Sequence, residues 1–390
     1  MALIKCKECG NEISSSAKTC PHCGVKISLL KCPECGKKLN GDETNCPDCG
    51  YPINKKTASN IITENLDKLT GAQSKNYVTF KDLFKNTFKK HTDEELDNVF
   101  VCGTKDTTPA LDDINPKQAS AWVYFRILIF FLIAYIPIYL GYTQYQNNNF
   151  LPAMVILAAF AVPVTVLIFF FEINLFRNIP FHKVLKYFII GGGASLFVAI
   201  LYFSIPFFEQ NTMVLDYKGA FFVSLIEETA KACIVAFFLF RNKKCDYILN
   251  GLLVGAAVGA GFGAFETAGY ILRYGLNTNS LTIMLEVAKQ RAILAPGMHV
   301  AWATIEGAAL MYVKGFEKLD KKHFNDKRFL LICLIPIALH WAWDLPISTP
   351  YQIYRVFLTV VAWIVIIYFI NLGLKQIDDA KKLEKVKTKK

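Results

Sequence analysis

The feature that most constrains this chain is a series of eight apolar segments beginning at residue 119. They cover about 120–142, 150–171, 184–206, 219–240, 248–272, 281–313, 329–347 and 353–374. Most hold 19–25 residues, and a helix of that length crosses the ~30 Å of hydrocarbon in a bilayer. The sixth is longer and is interrupted by Pro296-Gly297. Its first half carries Glu286, Lys289 and Arg291 and is read as interfacial or re-entrant. With 53% hydrophobic and only 19% charged residues among 390, the chain is too apolar to be soluble, and disorder is excluded on the same grounds.

Residues 1–118 are of a different kind, with 17 Lys/Arg, 16 Asp/Glu and no long apolar run. Eight of the twelve cysteines fall in residues 6–49. Cys6, Cys9, Cys20 and Cys23 recur, shifted by 26, as Cys32, Cys35, Cys46 and Cys49. Each unit is CxxC, ten residues, CxxC, and a glycine follows each pair (Gly10, Gly24, Gly36, Gly50). A tight turn presents two thiolates, the glycine permits positive φ, and two such knuckles form a tetrahedral zinc site. No secretory signal precedes them, so a reducing compartment is expected, where this spacing means metal rather than disulfides. These units resemble tandem zinc ribbons, 1–27 and 28–54, with two structural zinc ions. His22 lies inside a knuckle but has Asp48 as its repeat counterpart, and is read as a bystander. Seven lysines face six acids in residues 1–54, and the thiolates add negative charge. A regulatory protein is therefore the expected partner of the ribbons, and nucleic acid is not.

Residues 55–118 form a cytosolic linker with short helices. Lys55–Gly71 is polar and is read as mobile. Phe80, Leu83, Phe84 and Phe88 recur at helical spacing, and Thr92-x-x-Glu95 is a capping box. If the N-terminus is inside, the inner loops and the basic tail 375–390 hold nineteen Lys/Arg, against five in the outer loops. That asymmetry predicts eight spans in the cell membrane with both termini cytoplasmic. The fold class read from sequence is an all-α polytopic membrane protein of about eight helices, preceded by two small zinc ribbons.

Several spans carry groups that a purely structural bundle has no need of. The fourth holds Glu227, Glu228 and Lys231, the fifth Glu266, the sixth His299 and Glu306, and the seventh His340 and Asp344. A charged side chain at mid-bilayer costs roughly 2.5–3.5 kcal/mol on the insertion scale, so these groups must pair or line a wet cavity. Counting helix rise from the segment ends puts Glu227, Glu266, His299, His340 and Asp344 about 5–12 Å below the outer surface. Four helices thus place acids and imidazoles at one level. Lys231 is i,i+4 from Glu227 and i,i+3 from Glu228, and is read as their counter-ion. His340 and Asp344 share a face. Gly251, Gly255, Gly259 and Gly263 form a stripe for close helix packing. Glu306 is assigned a structural or cavity role, and Glu172 and Glu209, at span ends, are read as hydrated. On these residues alone a hydrolase and a proton- or ion-coupled transporter both stand.

Four motifs in order, Glu227-Glu228-x-x-Lys231, Phe262-x-x-x-Glu266, His299 with Gly307 eight residues on, and His340-x-x-x-Asp344, resemble the PrsW family of intramembrane proteases. That family is related to the CAAX prenyl proteases. The resemblance covers roughly residues 119–374. CAAX proteases carry a histidine where this chain has Glu266, and their first motif usually ends in arginine one residue later; both departures favour the PrsW side. The resemblance implies an endopeptidase that cuts a membrane-anchored regulator, such as an anti-sigma factor, near the outer face. A CAAX-type prenyl-protein protease is the alternative within the superfamily. The expected catalytic set is Glu227, Glu228, Glu266, His299, His340 and Asp344, supported by Lys231. In the preferred mechanism one of Glu227 and Glu228 activates water, Glu266 positions it, and the remaining groups polarise the carbonyl or protonate the amine. A metal held by His299, His340 and carboxylates is the rival; the chain has no HExxH motif.

Overall fold

The computed structural model describes residues 3–5, 11–14, 20–22, 32, 34–37, 39, 45–50, 58–74, 76–204, 216–347 and 350–387. The chain divides into two compact units, 1–62 and 63–390. In the first, strand β1 (Leu3–Lys5) pairs antiparallel with β2 (Glu12–Ser14), Ile4 opposite Ile13. The second cysteine set closes as the spacing predicts, with one sulfur each from Cys32, Cys35, Cys46 and Cys49 lying within 4.8 Å of one another. Gly36 and Gly50 both adopt φ of +72°, and their N–H groups donate to the carbonyls of Cys32 and Cys46 at 2.9 Å. The glycine after each knuckle is thus what lets the turn close on its own thiolates. Of the first set only Cys20, which is buried, lies among the described residues; Cys6, Cys9 and Cys23 lie outside them.

Helix α1 (Ala58–Thr70) occupies the stretch expected to be mobile. The sequence hides a one-turn repeat there: Leu66 and Thr70 are both buried. The Thr70 hydroxyl lies 2.7 Å from that of Tyr368. α2 (Phe80–Leu83) and α3 (Asp93–Phe100) follow, each opened by a complete capping box, Thr79 with Asp82 and Thr92 with Glu95.

The helical bundle comprises α4 (Val123–Tyr145), α5 (Leu151–Ile173), α6 (Phe181–Lys186), α7 (Gly192–Phe203), α8 (Tyr217–Arg241) and α9 (Ile248–Thr278). It is completed by α10 (Leu281–Leu294), α11 (His299–Lys314), α12 (Lys327–Asp344) and α13 (Ile353–Lys387). α6 and α7 join through a π-helical turn, Tyr187–Gly191. Among the described residues, five helical stretches are long and apolar enough to cross a membrane: 116–145, 148–173, 181–203, 248–278 and 353–386. α8 and α12 each carry at least three charged residues, and α11 has only 16 residues. These are the helices that furnish most of the polar cluster described below.

The sixth expected segment is two helices, α10 and α11, parted by a 3₁₀ turn at Ala295–Gly297, where Pro296 cannot continue the ladder. α9 runs through the centre and packs most extensively on α11. A Cβ at Gly251, Gly255 or Gly259 would overlap the backbone carbonyl of Gly307, Ala303 or His299 respectively. The glycine stripe is therefore the seat of α11, and it fixes where His299 stands.

Two of the sequence expectations need correction. Glu172 is not simply hydrated: it caps α4, accepting the N–H groups of Trp122 and Val123 at 2.8 Å and of Tyr124 at 2.9 Å. Glu209 lies outside the described residues. The basic tail expected over 375–390 is, as far as Lys387, the continuation of α13, and its last three residues lie outside the described residues. Asp378 accepts the Tyr77 hydroxyl at 2.6 Å, and Lys381 donates to the carbonyls of Asp112 and Ile114 at 3.0 and 2.8 Å. Two turns before Asp378 on α13, the buried Asn371 accepts from the N–H of Val78 and donates to its carbonyl, both at 3.0 Å. The segment before α4 is thus bonded along α13.

Candidate active site

Seven of the eight polar residues singled out in the spans, all but Glu306, meet inside the bundle. Glu227, Glu228 and Lys231 come from α8, Glu266 from α9, His299 from the first turn of α11, and His340 and Asp344 from the last turns of α12. Their contacts form one chain. Glu228 Oε1 accepts from Lys231 Nζ at 2.6 Å and stands 2.5 Å from His340 Nδ1. Lys231 Nζ also reaches His299 Nδ1 at 2.9 Å, and His299 Nε2 reaches Glu266 Oε2 at 2.8 Å. His340 Nε2 lies 3.2 Å from Asp344 Oδ2. An ammonium only donates, so His299 Nδ1 accepts and its Nε2 carries the proton given to Glu266.

Packing holds these rings in place. Trp302 stacks on His340 with centroids 4.2 Å apart, and Phe262 lies 4.8 Å from the His299 ring. Lys231, wholly buried, sits 4.7 Å from the Phe262 ring centre and 5.3 Å from that of Trp302. Its charge is met by a carboxylate on one side and aromatic faces on two others. Glu227 differs from its neighbour. Its Oε2 is buried without a hydrogen-bond partner among the described residues. It stands 3.9 Å from His299 Nδ1 and 3.8 Å from His340 Nε2. Of the adjacent pair, Glu228 is the one tied into the network and Glu227 the one left open between two imidazoles.

The sequence reading missed one member of the cluster. Arg291 of α10 forms an ion pair with Glu266 and donates from Nε to Thr267 Oγ1 at 2.9 Å. The signal was present, because four acids against a single lysine require another cation. Glu306 stays apart. It lines a largely apolar cavity of about 760 Å³ between α8 and α12, and its Oε2 has no partner among the described residues. A second cavity, of about 450 Å³, borders the cluster and is lined by Arg291, Asp344, Arg355 and Tyr270 among others.

The family described as PrsW family intramembrane metalloprotease matches residues 179–371, which hold every member of the cluster. The membrane domain belongs to the PrsW family. It is an intramembrane protease domain. The Protease PrsW of Shouchella clausii is 28% identical over 218 residues, covering 55% of this chain and 94% of that protein. Those of Clostridioides difficile and Bacillus subtilis are 26% and 27% identical over 208 and 199 residues, covering 52% and 49% of this chain and 83% and 81% of theirs. The N-terminal segment, residues 6–50, matches the double zinc ribbon. No solved structure matches the chain.

The family description names a metal, and the PrsW domain offers a place for one. Single donor atoms of Glu227, His299 and His340 lie within 4.8 Å of one another. Tetrahedral ligands at zinc distances stand about 3.4 Å apart, and two imidazoles with one carboxylate are a common open ligand set. The donors fit by type and spacing. Holding an ion there would require His299 Nδ1 to release the Lys231 ammonium it now accepts from.

Proposed function

We propose that this PrsW-type protease hydrolyses a peptide bond of a membrane-anchored regulatory protein, of the anti-sigma-factor kind, near the outer face of the cell membrane. The loop charges that put both termini in the cytoplasm support the location, since they set the cluster in the outer half of the bilayer. The ribbons are read as a cytoplasmic head that binds a regulatory protein, consistent with the even balance of charge in residues 1–54.

The observation that carries the chemistry is Glu227 Oε2, buried near two imidazoles with no hydrogen-bond partner among the described residues. A water held there gives its proton to Glu227 as its oxygen attacks the scissile carbonyl carbon. Lys231 and His340 are the nearest donors for the oxyanion. When the C–N bond breaks, His340, held between Glu228 and Asp344, passes a proton to the leaving amine. Products are a carboxylate and an amine, and one water is consumed. Glu227 is read as the base because its open oxygen lies near both imidazoles, whereas Glu228, whose Oε2 also has no partner among the described residues, is held through Oε1 by Lys231 and His340.

The three-donor set favours a second reading, in which Glu227, His299 and His340 hold a metal ion. Such an ion would lower the pKa of a bound water and polarise the carbonyl. The test uses purified full-length protein in proteoliposomes with a single-span substrate. Glu227→Gln is expected to lower kcat by at least about a hundredfold. Wild-type fragments from that variant would refute the assignment. Activity that chelator abolishes and added zinc restores, in protein whose ribbons stay loaded, would transfer the reading to the metal form.

A further inference from the structure

We propose that Arg291 is a positioning residue that acts through Glu266 on His299. It belongs to none of the four motifs and comes from α10, the half-segment that sequence alone assigns to the interface. Three contacts fix its guanidinium: the ion pair with Glu266, the Nε bond to Thr267 Oγ1 at 2.9 Å, and the ring of Tyr270, whose centre is 4.3 Å away. The side chains of Arg291 and Glu266 are only 17% and 15% exposed. This is a desolvated pair, for which geometry matters far more than at a surface.

The consequence falls on His299. Glu266 Oε2 accepts from both Arg291 and His299 Nε2, the latter at 2.8 Å. With its proton directed at Glu266, the ring turns Nδ1 toward Lys231 and Glu227. Without the guanidinium, Glu266 is a buried carboxylate whose one remaining partner, among the described residues, is a neutral imidazole. It is then drawn toward the other cation, Lys231, and the ring loses its fixed orientation. Thr267, the next residue on α9, binds the same arginine, so the clamp holds the helix turn as well as the carboxylate. Arg291 also lines the 450 Å³ cavity, which leaves a route by which a small cation can reach its place.

This inference rests on the hydrolytic reading of the cluster. The test is steady-state cleavage of a single-span substrate by the full-length protein in proteoliposomes, for wild type, Arg291→Ala, Arg291→Lys and Glu227→Gln. In Arg291→Ala, kcat is expected to fall roughly tenfold to a hundredfold with little change in KM, the mark of lost alignment rather than lost substrate binding. Arg291→Lys keeps the charge without the second nitrogen for Thr267, so its kcat should lie between the two. Millimolar guanidinium should restore part of the activity of Arg291→Ala, and equimolar urea, a neutral molecule of the same shape, should not. Wild-type kcat in both arginine variants overturns the proposal. So does a loss that neither lysine nor guanidinium reverses at an unchanged melting temperature. Should Arg291→Ala fail to fold, Arg291→Lys alone decides, because wild-type kcat there removes the need for the clamp. Glu227→Gln separates the two levels: an active Glu227→Gln sinks the hydrolytic reading itself, whatever the arginine variants do.

Discussion

Glu228 and His340 stand 2.5 Å apart, Oε1 to Nδ1, and tie α8 to α12 inside the bundle. The same oxygen holds the Lys231 ammonium at 2.6 Å. One carboxylate therefore fixes a cation on its own helix and an imidazole on another. Removing its charge strands Lys231 among aromatic rings, and breaking a buried pair in this way typically costs about 3–5 kcal/mol. Glu228→Gln should accordingly lower both melting temperature and activity. Glu228→Gln with Lys231→Met, which removes both charges, should regain most of the thermal stability and none of the activity. Thermal unfolding in detergent checks this; a double variant less stable than either single one would show that the pair is not the source of the cost.

Much of this site was legible in the sequence because charges in hydrocarbon have few explanations. Glu227, Glu228, Glu266, His299, His340 and Asp344 declared themselves by lying in apolar segments, and helix rise placed them at one depth. The break at Pro296-Gly297 and the knuckle glycines were legible for the same kind of reason, since backbone rules leave little choice there. Arg291 was hidden because its segment has a charged face, which reads as interfacial when partners are unknown. Which of the adjacent Glu227 and Glu228 is free depends on where α12 sets His340, and no local pattern carries that. Glu172 looks merely hydrated in the sequence because its partners are the amides at another helix's start, which have no intrahelical acceptor, 48–50 residues away. The last turns of α13 were misread as a tail because Asp378 and Lys381 look solvated until the linker is placed against them.

The glycine stripe on α9 makes a separate prediction. At Gly255 a Cβ would meet the carbonyl of Ala303 at the centre of the α9–α11 contact. Gly255→Leu should push α11 away and carry His299 with it. Overpacking of this kind costs about 1–3 kcal/mol or more. The expected result is a lower melting temperature together with loss of cleavage. At Gly269 no atom lies within 4 Å of the added Cβ, so Gly269→Ala is the control and should leave both unchanged.

At the start of α4, Glu172→Ala removes the acceptor for three amides. Loss of a cap typically costs about 1 kcal/mol, and here more than one amide is left unmet. Asn371→Leu should uncouple the linker from α13, because one side chain both accepts from and donates to Val78. Hydrogen exchange in purified protein reads the two effects apart. Glu172→Ala should raise exchange at residues 122–124, and Asn371→Leu at residues 77–78. Unchanged protection at either place would mean that the side chain does not hold the backbone there.

The last prediction separates two kinds of metal. The ribbons need zinc to fold, since each is too short to bury a sufficient core. The PrsW domain has an extended helical core of its own and should stay folded without them. Elemental analysis of the full-length protein should give about two zinc ions per chain. Cys35→Ser with Cys49→Ser destroys one set of thiolates and should lower this to about one, leaving the melting temperature of the membrane domain unchanged. His340→Ala should leave zinc content at about two if carboxylates and imidazoles alone do the chemistry, because no ribbon ligand is touched. A stoichiometric loss of metal in His340→Ala, with both ribbons intact, would mean that Glu227, His299 and His340 hold an ion in the working enzyme. Glu227 would then be a ligand, and Lys231 would have to leave His299 Nδ1 for the ion to bind.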